Sequence, residues 1–214
     1  MKTRDILWAA VVIIVWGVNF AVIKFGVQEL PPFFLVAVRY FFAAVPMIFF
    51  VKRPTVSWKY VTAYGLTMGV GQFSCLFYAV RLGMPAGIAS VILQAQAFFT
   101  LIFAMLAFRA PIKMSQILGL GVAGIGLLFI SGIIGLGDVV HIPTSALLLT
   151  LGASAFWAMA NIIVRKASIA AIAEGKSLKM LDLVVWSSLV PSIPMLLASW
   201  FLERPQLELL SFTD

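Results

Sequence analysis

Seven stretches of nearly unbroken apolar residues follow one another along the chain, at 6–25, 33–51, 60–80, 86–108, 114–134, 146–164 and 183–201. Each is close to the roughly 20 residues that a helix needs to cross a hydrocarbon core. The pattern therefore predicts an all-α integral membrane protein with about seven transmembrane helices. The breaks between runs carry turn and charge signals: Pro31-Pro32, Lys52-Arg53-Pro54, Gly83-Met84-Pro85, Arg109-Ala110-Pro111, Gly137-Asp138 and the polar stretch 165–182. The first run follows Lys2 and Arg4 as a signal peptide would. It is too long for a signal core, contains Trp16 and Asn19, and is followed by no small-residue cleavage site, so it reads as an uncleaved span.

Composition agrees with this pattern. Of 214 residues, 63% are hydrophobic and 11% charged, with mean hydropathy +1.09. Soluble domains are about 45–50% apolar and about 25% charged, and disordered chains are poorer still in apolar residues, so both classes are excluded. The net charge of +7 sorts by side. With the N-terminus in the cytoplasm, Lys2, Arg4, Lys52, Arg53, Lys59, Arg109, Lys113, Arg165, Lys166, Lys176 and Lys179 lie inside. Lys24, Arg81 and Arg204 then lie outside, and Arg39 lies within the membrane. Glu29, Asp138, Glu203, Glu208 and Asp214 share the outer side. The basic excess is thus a topology signal and not a nucleic-acid footprint, and an odd number of spans puts the C-terminus outside. The lone Cys75 excludes an intrachain disulfide and reads as a small packing residue. His141 has no Cys/His cluster around it, so no metal or cofactor site is expected. No catalytic cluster supports an enzyme, and the seventh run has no lysine for a retinal Schiff base.

The first and sixth runs resemble each other. Trp16-Gly17-Val18-Asn19 with Lys24 is matched by Trp157-Ala158-Met159-Ala160-Asn161 with Lys166, and Pro46-Met47 by Pro194-Met195 in the next run of each copy. Five spans separate the copies, so they are expected to run in opposite orientations, the plan of inverted-repeat secondary transporters with a site at the repeat interface.

These residues resemble the EamA-type transporters of the drug/metabolite transporter superfamily. The likeness rests on Val15-Trp16-Gly17-Val18-Asn19-Phe20 with Lys24, on Leu30-Pro31-Pro32 and Arg39, and on the stretch from Gly83-Met84-Pro85 to Gln94-Ala95-Gln96-Ala97-Phe98-Phe99-Thr100. Gly119, Gly126, Trp157, Asn161 and Trp186-Ser187 also fit. The Gln94–Phe99 core looks like the subgroup that exports cysteine and O-acetylserine. The resemblance implies two inverted five-helix repeats. On that plan residues 1–137 form the first repeat and 138–214 part of a second, an incomplete five-plus-five bundle. Arg109-Ala110-Pro111 departs from the Gly-Glu-Arg-like corner usual in the family after the fourth span.

No acidic residue lies inside any run, so a carboxylate proton relay has no candidate. Arg39 lies about six residues into its span, roughly 9 Å deep. It either holds a substrate carboxylate or snorkels and pairs with helix-end carbonyls. Lys24, nearer the interface, reads as snorkelling. Gln94 and Gln96 point roughly 200° apart on a helix, so at most one faces a cavity while the other bonds a neighbouring helix. Phe98 and Phe99 read as packing before substrate cage. Trp16 shares a face with Asn19, and Trp157 with Asn161; each asparagine either bonds another helix or lines a cavity. Gly65, Gly69 and Gln72 form one close-packing face with a polar contact, and Gly119, Ala123 and Gly126 another. Pro46, Pro191 and Pro194 are kinks, static or hinged.

The function expected on these grounds is export of small polar amino acids, cysteine and O-acetylserine by resemblance, across the inner (cytoplasmic) membrane by alternating access. The substrate cavity would be drawn from Arg39, Asn19, Trp16, Gln94, Gln96, Asn161 and Trp157. The alternatives are a truncated, non-transporting fragment, a subunit needing another chain, and an exporter of another amino acid or drug. The partners are the lipid bilayer and a small polar metabolite, with self-association left open.

Overall fold

The computed structural model describes residues 3–109, 111–130 and 142–203, and every regular element among them is helical. His141, the Gly137-Asp138 break, the 137/138 repeat boundary, Arg204, Glu208 and Asp214 lie outside these residues.

Each apolar run becomes a helical rod as far as it is described. The rods are α1 (Thr3–Glu29), α2 (Pro32–Ile48), α3 (Trp58–Gly65) continuing through a π-helical segment (Leu66–Phe73) into α4 (Ser74–Arg81), and α5 (Ala86–Ile92) continuing through a 3₁₀ turn (Leu93–Ala95) into α6 (Gln96–Phe108). They are followed by α7 (Met114–Ile130), α8 (Thr144–Ala173), and α9 (Met180–Ser187) leading into α10 (Leu189–Leu202). Among the described residues four helices have the length and apolarity to cross a membrane: Thr3–Glu29, Ala86–Phe108, Thr144–Ala173 and Met180–Leu202; Pro32–Ile48 and Met114–Phe129 are shorter apolar helices.

Two boundaries differ from expectation. The stretch after Val164 was expected to be a break, but α8 continues to Ala173. Arg165, Lys166 and a run of alanines keep the helix going where apolarity ends, because alanine, arginine and lysine are good helix formers whatever their surroundings. The last rod breaks between Ser187 and Leu189, four residues before a proline. Pro191 has no N–H for the Ser187 carbonyl, which the helix therefore leaves free.

Helix ends follow local chemistry. Gly83 (φ 101°) and Gly175 (φ 69°) take the left-handed conformation that closes α4 and α8. In both, the next amide reaches back five residues, Met84 N–H to the Ala79 carbonyl and Lys176 N–H to the Ala171 carbonyl. Beyond α8, Lys176 lies 2.7 Å from Glu174, and this hydrogen bond holds the Glu174 carboxyl below its ordinary value. At the end of α6 the same left-handed position is filled by Arg109 (φ 51°), whose Cβ costs about 1–2 kcal/mol there. Arg109→Gly is therefore expected to raise stability by about 1 kcal/mol, read as a higher melting temperature in detergent.

The core lies where α1, α2, α4, α8 and α10 meet, with Ile23, Val27, Val36, Leu76, Phe77 and Met195 buried together. Gly65 and Gly69 let the third rod lie against the last. A Cβ on Gly65 would come within 2.5 Å of the Ser187 carbonyl, and one on Gly69 would enter the Pro191 ring. Gly71 is similarly closed by Phe156 of α8. The fifth run differs: no described atom lies within 4 Å of a Cβ on Gly119 or Gly126. The α7 glycine with a described neighbour is Gly124, which meets Phe98.

Contacts between distant residues tie the rods together at their ends. At one end Arg81 donates to the carbonyls of Val27 and Gln28, capping the C-terminus of α1. Beside it Glu203, only 1% exposed, accepts from the amides of Phe33 (3.0 Å) and Phe34 (3.3 Å), capping the N-terminus of α2. Glu203 was expected as an outer-side charge; the structure buries it as a helix cap, because Pro31 supplies no side-chain acceptor of its own. At the other end Thr55 donates to the Ser177 carbonyl, Trp186 Nε1 to the Lys52 carbonyl, and Arg165 lies 4.4 Å from the Phe108 ring.

Candidate functional site

Along α1, residues 8, 11, 12, 15, 16, 19, 20, 23 and 27 fall on one stripe at helical spacing. Its last part, Phe20, Ile23 and Val27, is buried in the core. Its first part, from Trp8 to Asn19, borders a cavity of about 590 Å³. The other walls are Arg39 from α2, Met68, Gln72 and Phe73 from the π-helical segment, Leu76 from α4, Leu93 and Trp157.

The charge in this cavity is Arg39. Its Nη1 donates to Asn19 Oδ1 at 2.8 Å, and its guanidinium lies 4.4 Å from the centre of the Phe73 ring. Both partners are neutral, and no carboxylate lines the cavity among the described residues. A guanidinium has five N–H donors in a planar fork, so the Asn19 contact leaves donors for a ligand. Its cost in an apolar slot, at least roughly 2.5–3.5 kcal/mol, is unrelieved by any counter-ion on these walls. What the arrangement can do is take an anionic group of a small molecule between Arg39 and Asn19.

Trp16 and Trp157, the matching tryptophans of the internal likeness, meet here edge to face with centroids 5.6 Å apart. The matching asparagines do different things. Asn19 holds Arg39, whereas Asn161 turns away from the cavity and donates to Gln96 Oε1 at 3.0 Å, within reach of Thr100 at 3.5 Å. Gln96 is thereby engaged between α6 and α8, while Gln94, on the 3₁₀ turn, is exposed; neither borders the cavity. Lys24 and Arg81 border a second, smaller cavity near the capped helix ends.

Gln72 departs from its reading as a packing residue with one polar contact. The i→i+5 turns of the π-helical segment separate it from the Gly65/Gly69 face, and it borders the cavity, with Oε1 buried and unpartnered among the described residues. Met68, Phe73 and Leu93 also line the cavity without a sequence signal that separates them from ordinary core residues.

Residues 3–132 match the EamA-like transporter family. A protein of Salmonella typhimurium named probable amino-acid metabolite efflux pump is 41% identical over 203 residues, covering 95% of this chain and 66% of that protein. Its namesake in Escherichia coli is 38% identical with the same coverage. An uncharacterized transporter of Bacillus subtilis is 25% identical over 90% of the chain and 65% of its own length. The chain thus spans just under two thirds of these relatives. No solved structure matches it.

Proposed function

This chain belongs to the EamA-like transporter family, and from that premise we propose that it is a metabolite exporter moving small polar amino acids outward across the bacterial inner membrane. Cysteine and O-acetylserine are the substrates first in line, moved by alternating access. The observation that carries the reading is the half-buried Arg39, held by Asn19 in a cavity lined by no carboxylate among the described residues. A substrate α-carboxylate supplies the missing charge and accepts the remaining guanidinium donors. The names of the Salmonella and Escherichia relatives support an amino-acid metabolite as cargo. The family match over 3–132, the first five apolar runs, supports a first repeat of five helices.

With the N-terminus in the cytoplasm, the α1 residues Trp8, Val11 and Val12 on the cavity wall lie towards the cytoplasmic side, the loading side for an exporter. The Arg81 and Glu203 caps lie at the opposite end of α1. Expressing the protein in cells supplied with each solute, and measuring cysteine and O-acetylserine released to the medium against an empty-vector control, tests the reading. Release above the control is the expected result; release equal to it for both solutes removes the proposal.

A further inference from the structure

We propose that the slot between α6 and α8 is a binding site for an anionic phospholipid, with an acyl chain in the slot and the phosphate on Arg165. Phe103, Leu106 and Ala107 of α6 face Met159 and Ile162 of α8 around a cavity of about 290 Å³. All five side chains are apolar, and Leu106 and Met159 are exposed. The two rods that carry them are long and apolar enough to cross a membrane, so in a bilayer the slot opens onto hydrocarbon.

The same stripe then runs into charge. Along α8, Met159 and Ile162 are followed at helical spacing by Arg165, with Lys166 beside it; after Leu106 of α6 comes Arg109. Arg165 stands one turn, roughly 4.5 Å, beyond Ile162. Its guanidinium lies 4.4 Å from the centre of the Phe108 ring, next in the chain to Ala107 of the slot. That stacking uses none of its five N–H donors. Arg109, Arg165 and Lys166 form no ion pair among the described residues. Basic pockets between membrane helices are where anionic headgroups collect, and a phosphodiester here supplies the missing charge. A free phosphate leaves the apolar slot unfilled, and a phosphatidylcholine brings a cation of its own to the basic end. An anionic phospholipid satisfies both halves of the site.

Native mass spectrometry of the delipidated protein in detergent, titrated with dioleoylphosphatidylglycerol or dioleoylphosphatidylcholine, tests the assignment. The first phosphatidylglycerol should bind about five- to tenfold more tightly than phosphatidylcholine. Arg165→Gln should bring the two lipids level. Ala107→Leu, which fills the slot and keeps every charge, should weaken both. Lys52→Gln removes a cation whose backbone meets Trp186 and not α6, and should leave the preference unchanged. All three positions are exposed, so the variants should melt with the wild type. Equal affinity of the wild type for the two lipids overturns the proposal. So does an equal loss of preference in Lys52→Gln and Arg165→Gln, which makes the attraction diffuse, or unchanged binding in Ala107→Leu, which leaves the slot empty. Sodium phosphate over the same concentration range should not displace the lipid; displacement would make this a site for a soluble anion and overturn the lipid assignment.

Discussion

Arg39→Ala is expected to lower kcat/KM for amino-acid export by about 10- to 150-fold at equal membrane abundance. That range corresponds to the about 1.5–3 kcal/mol carried by a hydrogen bond to a charged group, with each 1.4 kcal/mol worth about tenfold. Two losses combine: on the proposed reading the substrate carboxylate loses its cation, and Asn19 Oδ1 loses the donor that it holds at 2.8 Å. Arg39→Lys should recover only part of the activity, because an ammonium neither forks onto a carboxylate nor stacks on the Phe73 ring in the same way. Efflux measured beside a quantified membrane fraction decides the matter. Unchanged export in Arg39→Ala would return the guanidinium to a purely structural part in the bundle.

The second large effect is on stability. Glu203→Ala should destabilise the bundle by about 2–5 kcal/mol, since two amide donors at the start of α2 lose the charged acceptor that they have among the described residues. In thermal unfolding in detergent this corresponds to a fall of about 5–15 °C. Glu203→Gln keeps one neutral oxygen and should fall between. A Glu203→Ala protein that melts with the wild type would mean that water or lipid satisfies these amides equally well.

The rods were legible in the sequence because membrane helices are written in run length, and seven runs of the right length leave few alternatives. What escaped was whatever depends on partners far away or on a change of helical period. Glu203 looks like one more outer charge until α2 is found 170 residues upstream with Pro31 and Pro32 at its start and no cap of its own. Gly65, Gly69 and Gln72 share a face at 3.6 residues per turn, but the π-helical turns between them move Gln72 to the cavity. The extension of α8 past Val164 is invisible to hydropathy, since a helix that leaves the apolar zone keeps its hydrogen bonds while losing its apolar signature. The glycines of α7 had the right spacing for packing, yet spacing does not supply a partner. Of the candidate site, Trp16, Asn19, Arg39 and Trp157 come together around one cavity, whereas Gln94, Gln96 and Asn161 lie elsewhere. Amides in apolar runs look alike in sequence whether they face a cavity or a neighbouring helix.

The edge-to-face contact of Trp16 with Trp157 has an optical consequence. Two indoles held at 5.6 Å in a fixed, non-parallel geometry couple their transitions, so the pair is a built-in chromophore on the wall of the cavity. Trp58 and Trp186 form a second such pair at 5.7 Å, away from the cavity. On the proposed reading, a solute beside Arg39 perturbs the first pair and leaves the second as an internal reference. The unlabelled protein therefore carries its own near-ultraviolet dichroism signal for occupancy, readable in detergent or in vesicles without a radioactive substrate.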